Sequence, residues 1–359
     1  MWLLGLKSRS KAAYADAQPE VPDIKEKGII VLHDDGPDSI VDICFVHGLG
    51  GHPTKTWSRG DCCWPKDLLP NTISNDNRIK IRVLSYGYNA QPVKLSGGSS
   101  YGHVQVFAQI LMDELGSSRR MPGGQLCSRR IIFVGHSLGG LVIKSTVCQS
   151  KHYNPGDPER NIFDCTAGTI FIGTPHHGSD FARWTKYLNG IFDMAQRPVN
   201  QGLMDDMRLG TVQLKNLSDN FDVAAREIKK FCCYETESTF VAGTNWGHVV
   251  SDTSAKINGA KLEAITADHV NMCKFDKEDD PNYRAATRGI IAMVDEILES
   301  SVQQNEAEES HFQTSGFLLE AACVSHPSSI RQYDRPYVRG RDKQGQGLDQ
   351  QSGMKDRIL

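Results

Sequence analysis

The chain has no surplus of charge and no run of it. Its 40 Lys and Arg against 43 Asp and Glu leave a net charge of −3. No basic cluster appears, so nucleic-acid binding has no electrostatic footprint here. The ten cysteines, including the doublets Cys62-Cys63 and Cys232-Cys233, show no paired spacing for zinc and accompany no secretory leader. They read as buried, reduced thiols of an intracellular protein. The amino-terminal apolar run Met1-Trp2-Leu3-Leu4-Gly5-Leu6 is too short for a signal-peptide core or a membrane span. Lys7, Arg9 and Lys11, with Ser8 and Ser10 and no acid before Asp16, have the composition of a mitochondrial presequence. A disordered leader over residues 1–27 is the plainer expectation. The corresponding locations are the cytoplasm or the surface of mitochondrial or endoplasmic-reticulum membranes, with peripheral membrane association.

What is present is strand and helix in alternation. Gly28 to His33, Ile40 to Val46, Ile79 to Ser85, Arg129 to Gly135, Ala167 to Gly173 and Ile228 to Tyr234 read as strands, and Val104 to Leu115 as a crossover helix. Such alternation predicts an α/β domain with a mostly parallel central sheet covered by helices on both faces. A chain of 359 residues accommodates one such domain, over residues 28–300, and a polar tail over 301–359 that reads as largely disordered. Between the strand ending at Gly173 and the one starting at Ile228 lies an insertion, about 180–226. Its Phe181, Trp184, Tyr187 and Phe192, and its Leu203, Met204, Met207 and Leu214, fall at near-helical spacing. Core packing explains such a pattern by default. A helical cap that offers Trp184 and Tyr187 to an apolar substrate is the sharper expectation.

One turn carries chemistry. Ile131-Ile132-Phe133-Val134 leads into Gly135-His136-Ser137-Leu138-Gly139, and helix-compatible sequence follows at once. That is the strand, elbow and helix that a Gly-x-Ser-x-Gly nucleophile needs. The helix amino terminus beneath Ser137 favours negative charge developing beside it. A serine is inert near neutral pH without a base, an orienting acid and an oxyanion site. The early strand ending in His47-Gly48-Leu49-Gly50-Gly51 supplies the oxyanion loop, with the amides near Gly48 and Leu49 joining that of Leu138. His47 precedes the serine and reads as a residue that braces this loop.

Seven histidines follow Ser137, and only His269 lies where a late-strand loop delivers a base, just before the amphipathic helix Tyr283 to Ser300. His176 and His177 read as residues of the pocket rim and form no metal-ligand pattern. The acid belongs between Ile170 and His269 in the order Ser, acid, His. Glu235, at the end of the strand Ile228 to Tyr234, is the first choice. Asp252 is the alternative, as the end of a further short strand nearer the histidine. Asp268 adjoins His269, but neighbouring side chains in an extended loop point apart.

His47-Gly48-Leu49-Gly50-Gly51, Trp57, Trp64-Pro65-x-x-Leu68-Leu69-Pro70, Leu84-Ser85-Tyr86-Gly87-Tyr88, the elbow, Gly173-Thr174-Pro175-His176-x-Gly178 and Asp268-His269-x-x-Met272-Cys273-Lys274-Phe275 occur in one order. Over roughly residues 28 to 300 this set resembles the serine-active-site-containing lipases of the α/β-hydrolase fold, and the related heads of fungal NACHT and repeat proteins. The resemblance implies a Ser-acid-His hydrolase of lipid or other carboxylic esters, with Ser137 and His269 on the matching positions and Glu235 as the acid. Glu235-Thr236-Glu237-Ser238-Thr239 departs from the family in lacking the Leu-Pro that follows the acid. The expected partner is a small-molecule or lipid ester, with no cofactor and no metal. Acyl transfer to an alcohol, as in phospholipid remodelling, and a non-catalytic interaction module are the alternative readings.

Overall fold

The computed structural model describes residues 27–74, 79–88, 100–176, 184, 187, 213, 215–241 and 243–324. The expected leader, the expected tail beyond 324, and Phe181, Phe192, Leu203, Met204, Met207 and Leu214 of the insertion lie outside them. The chain separates into two compact units, Met1–Gln304 and Asn305–Leu359. Of the second, residues 305–324 are described, as helix.

In chain order the strands are β1 (Gly28–Asp34), β2 (Val41–Val46), the two-residue pair β3 (Ser58–Arg59) and β4 (Cys62–Cys63), β5 (Ile81–Gly87), β6 (Arg130–His136), β7 (Thr166–Ile172), β8 (Lys229–Glu235), the hairpin β9 (Thr239–Val241) and β10 (Thr244–Gly247), and β11 (Lys261–Ile265). Seven of them form one sheet in the order β1-β5-β2-β6-β7-β8-β11. Only the edge strand β1 runs antiparallel within it, against β5; the other pairings are parallel. This is the mostly parallel sheet, covered on both faces, that the alternation of strands and helices predicts.

The strand period of two sorts the core into two layers. Val41, Ile43 and Phe45 of β2 face one layer, shared with Ile132, Val134, Ile170 and Ile172 and closed by Tyr283, Ile290, Val294 and Ile297 of the last helix. Cys44 and Val46 face the other, closed by Ala108, Leu111 and Leu115 of the helix Ser100–Ser118 and Val142, Ile143 and Val147 of the helix Leu138–Ser150. Strands buried on both faces are nearly continuous apolar runs, which is why they were legible as strands. Asp42 is the polar exception in β2. Its buried carboxylate accepts Arg82 at 2.8 and 2.9 Å, Arg129 at 3.0 Å, and Arg119. A buried charge is tolerated here because three guanidiniums surround it.

The last helix runs Pro281–Val324, past the Ser300 at which the polar shift suggests an end. Gln303, Gln304, Glu306, Ala307, Glu308 and Glu309 are good helix formers, and no proline interrupts before Pro327. Polar residues of this kind do not stop a helix. No helix among the described residues is long and apolar enough to cross a membrane.

Candidate active site

Parallel strands all point their carboxyl ends to one edge, and ligands of open α/β sheets bind there. Val46 at the end of β2 pairs with Gly135, His136 with Ile172, and Glu235 at the end of β8 with Ile265 of β11. The loops carrying Gly48, Ser137, Gly173, Glu235 and His269 therefore leave the sheet side by side.

Ser137 has φ 52° and ψ −120°, the one non-glycine positive φ among the described residues. Such a conformation costs of order 1–3 kcal/mol and persists only when its surroundings fix it. Its N–H donates to Ile172 O at 2.9 Å, and its carbonyl accepts Gly140 N and Thr174 Oγ1, each at 3.1 Å. The glycines make the turn possible by close approach. A Cβ on Gly135 would stand 2.6 Å from Ile143 Cδ1, and one on Gly139 2.1 Å from Val46 O.

The imidazole of His269, almost fully buried, has Nε2 3.1 Å from Ser137 Oγ and Nδ1 3.3 Å from Glu235 Oε2. The backbone of His269 is held at both its N–H and its C=O. His269 N–H donates to Thr239 Oγ1 at 3.1 Å, and its carbonyl accepts His136 Nε2 at 3.0 Å. That second bond requires the proton of His136 to sit on Nε2. Burial holds His136 neutral by pushing its pKa down to about 3. Glu235 is buried too, and its other oxygen accepts Val250 N at 2.7 Å. Gly173, at φ 57°, leaves room for the ring, since a Cβ there would lie 3.0 Å from His269 Cε1.

The glycine loop reaches the serine from the β2 side. A Cβ on Gly48 would stand 3.0 Å from Ser137 Cβ. His47 Nδ1 donates to Gly48 O at 2.9 Å, its Nε2 lies 3.4 Å from Tyr88 N, and its ring stacks on Tyr88 at 4.4 Å. Burial pushes its pKa down to about 4, so the ring is neutral and the tautomer follows from its two partners. Because a trans peptide points its C=O and N–H oppositely, holding Gly48 O at His47 turns the Leu49 N–H away from His47. Leu138 is the first residue of its helix, and a first-turn N–H has no acceptor within the helix. Leu138 follows Ser137 directly, and Leu49 lines the same pocket as Ser137.

A pocket of about 350 Å³ opens over this arrangement, lined by Gly48, Leu49, Ser137, Tyr187 and His269 among others. Tyr187 sets its ring edge-on to His269, with centroids 5.5 Å apart. Trp184 approaches from the apolar cluster of Leu138, Leu141, Leu217, Val249 and Val250, and its Nε1 donates to Ser137 Oγ at 3.3 Å.

Two sequence expectations need correction. Asp252 ends no strand; it begins the one-turn helix Asp252–Ala255, is exposed, and accepts the N–H of Thr253 at 2.7 Å. Val249 and Val250 are themselves bends leading to Ser251, the N-cap of that helix, so the extended pattern they suggest is not formed. His176 is no rim residue either. It is buried, edge-on to Phe171, with Nε2 3.8 Å from Cys232 Sγ. His177 lies outside the described residues. Sequence reasoning missed Thr239, Val250 and His136 as supports. Of these only His136, inside the elbow, carried a local signal.

Residues 43–225 match the family described as "Putative serine esterase (DUF676)". The chain is 26% identical over 299 residues to "Protein SERAC1" of Danio rerio, a match covering 75% of this chain and 42% of that protein. It thus spans less than half the length of that relative. Among solved structures it is similar to the mature lipase BlEst2 of Bacillus licheniformis, with TM-score 0.41 and 17% identity over 68% of this chain and 92% of that one. A carboxylesterase structure from Nitrososphaera gargenis matches with TM-score 0.42 and 14% identity, over 75% of this chain and 95% of that one.

Proposed function

The chain belongs to the family described as Putative serine esterase (DUF676), and from that premise we propose that it is a serine hydrolase of carboxylic esters, lipid esters among them, acting through an acyl-enzyme. One observation carries the reading: the buried line from Ser137 Oγ through His269 to Glu235, at 3.1 and 3.3 Å. The domain over 28–300 is its catalytic unit.

Ser137 Oγ attacks the ester carbonyl as its proton passes to His269 Nε2. The carbonyl oxygen becomes an oxyanion and is held by the N–H groups of Leu49 and Leu138, with Gly48 giving the close approach. Glu235 keeps the Nδ1–H tautomer and stabilises the imidazolium without taking the proton. Collapse breaks the bond to the alcohol, which leaves with the proton from His269. Water then gives its proton to His269 and attacks the acyl-serine, and the second collapse returns the proton to Ser137 Oγ and releases the acid. Trp184 and Tyr187 supply the apolar wall for the acyl chain, and access from a membrane surface suits such a substrate.

Labelling by a fluorophosphonate probe tests this directly. Folded wild-type protein is expected to label at Ser137 and Ser137→Ala to stay unlabelled. A folded wild type that does not label leaves an interaction module in place of the enzyme. Product analysis with glycerol or lysolipid present separates hydrolysis from acyl transfer, because transfer yields a new ester in place of free acid.

A further inference from the structure

The pocket over Ser137 is electrically one-sided. Lys55 and Lys274 both line it, and none of its lining residues is Asp or Glu, although acids outnumber bases in the chain by 43 to 40. Among the described residues, neither ammonium has a carboxylate within ion-pair distance. Asp268, adjacent to the lining residue His269, and Asp276, two residues beyond Lys274, are both outside the lining, and neither forms an ion pair with Lys55 or Lys274; Asp268 is committed to its own loop. It already accepts the N–H groups of Val270 and Asn271, each at 2.9 Å, and the Asn271 side chain at 2.8 Å.

The two lysines stand on segments that are fastened together. Cys273 Sγ donates to Thr56 O at 3.3 Å, and Ser58 and Phe275 form an isolated parallel bridge just beyond. His52 Nδ1 accepts the N–H groups of Thr54 and Lys55 at 3.1 and 3.2 Å, which fixes the turn bearing Lys55. Trp64 Nε1 donates to Cys273 O at 2.9 Å and fixes the residue before Lys274. Lys274 is close enough to His136 that its charge helps depress that histidine's pKa, after the larger effect of burial. The positive charge is therefore built beside the reacting atoms on anchored backbone. Ser137 also meets the apolar cluster of Leu138, Leu141 and Trp184, through the bond from Trp184 Nε1.

We propose that Lys55 and Lys274 bind an anionic group, phosphate or carboxylate, carried on the alcohol portion of the ester, while the acyl chain lies toward Trp184. This rests on the hydrolase reading above and names the substrate class of the same site. A neutral ester loses nothing in the wild-type pocket but gains nothing from the lysines. An anionic one is drawn in and oriented with its leaving alcohol toward them.

The test pairs 1-butyrylglycerol with 1-butyrylglycerol 3-phosphate, which share the scissile ester and differ in the anion. Wild type is expected to prefer the phosphate in kcat/KM by about tenfold, as two partly exposed ion pairs of about 0.7 kcal/mol each would give. Lys55→Gln/Lys274→Gln should bring the ratio near one and Lys274→Glu should invert it. Raising the salt from 0.05 to 0.5 M should shrink the wild-type ratio. A wild-type ratio near one, or a ratio that the double variant leaves intact, overturns the inference while hydrolysis of 1-butyrylglycerol keeps the hydrolase reading. Hydrolysis of neither ester, with no Ser137 labelling, overturns both. Long-chain versions presented in phosphatidylcholine vesicles then distinguish a lipid headgroup from a soluble phosphate ester as the source of the anion.

Discussion

Trp184 Nε1 donates a hydrogen bond to Ser137 Oγ at 3.3 Å, on the oxygen that also meets His269 Nε2 at 3.1 Å. A hydroxyl has one proton to give and two lone pairs. With its proton directed to His269, the indole occupies a lone pair that attack on a carbonyl would use. Trp184 therefore quiets the resting nucleophile. Trp184→Phe keeps an aromatic ring and removes the donor, and should raise the rate of fluorophosphonate labelling about fivefold, the worth of a hydrogen bond near 1 kcal/mol. Trp184→Ala should lower kcat/KM on long-chain esters more than on short ones. Equal, unchanged activity of Trp184→Ala on both would remove it from the substrate site.

Glu235 and Asp252 separate cleanly in position. The first is buried with both oxygens bonded, one to His269 Nδ1 at 3.3 Å and one to Val250 N at 2.7 Å; the second is an exposed helix start. Glu235→Gln should lower kcat by about 10³ to 10⁴, because an amide cannot hold the imidazolium as a carboxylate does. Asp252→Asn should stay within about twofold, as surface changes away from a site do. Steady-state kcat on a short-chain ester reads both, and comparable losses in the two variants would exclude Glu235 as the acid.

The sheet was legible because its strands are buried on both faces and so read as short apolar runs bounded by turns. The elbow was legible because its chemistry and its geometry are written in five consecutive residues, and His269 because it follows the last strand and precedes the last helix. Asp252 misled for the opposite reason. Val249 and Val250 look extended locally, yet they descend past Glu235 so that the Val250 amide can bond its carboxylate, a contact across 15 residues. Lys144 was invisible as a polar core residue, since nothing in Leu141-Val142-Ile143-Lys144 announces that its amine ends among Phe171, Phe221 and Ser218. Patterns of period two and 3.6 assign faces, and partners brought from distant segments lie beyond them.

Gly173 links backbone conformation to the base. Its φ of 57° suits glycine, and a Cβ there would stand 2.8 Å from Met272 Sδ and 3.0 Å from His269 Cε1. Gly173→Ala should lower stability by about 1–2 kcal/mol for the left-handed conformation alone. Displacing the ring should also cut kcat by about tenfold to a hundredfold, because misplacement on the ångström scale costs that much. Thermal unfolding and kcat measure the two effects separately. A folded variant retaining kcat within twofold would show that Gly173 does not hold the space for His269.

Lys144 is fully buried directly behind the elbow, its Nζ donating to Ser218 Oγ at 3.0 Å and lying 5.4 Å from the Phe221 ring centroid. Burial pushes its pKa down from 10.5 to about 8. Between those values the folded protein binds fewer protons than the unfolded chain, so stability rises with pH from about 8 to 10.5 and is lowest, and level, below 8. The shift is worth at most about 3 kcal/mol of differential stability. Lys144→Met keeps the volume and removes the charge, and Ser218 Oγ retains its bond to His176 O at 2.9 Å. The variant should therefore be more stable than wild type at pH 7, and the difference should narrow steadily as the pH approaches 10.5. Urea unfolding at pH 7, 9 and 10 reads this. A variant less stable than wild type at pH 7 would mean that the ammonium's contacts with Ser218 and the two phenylalanine rings outweigh the penalty of burying it.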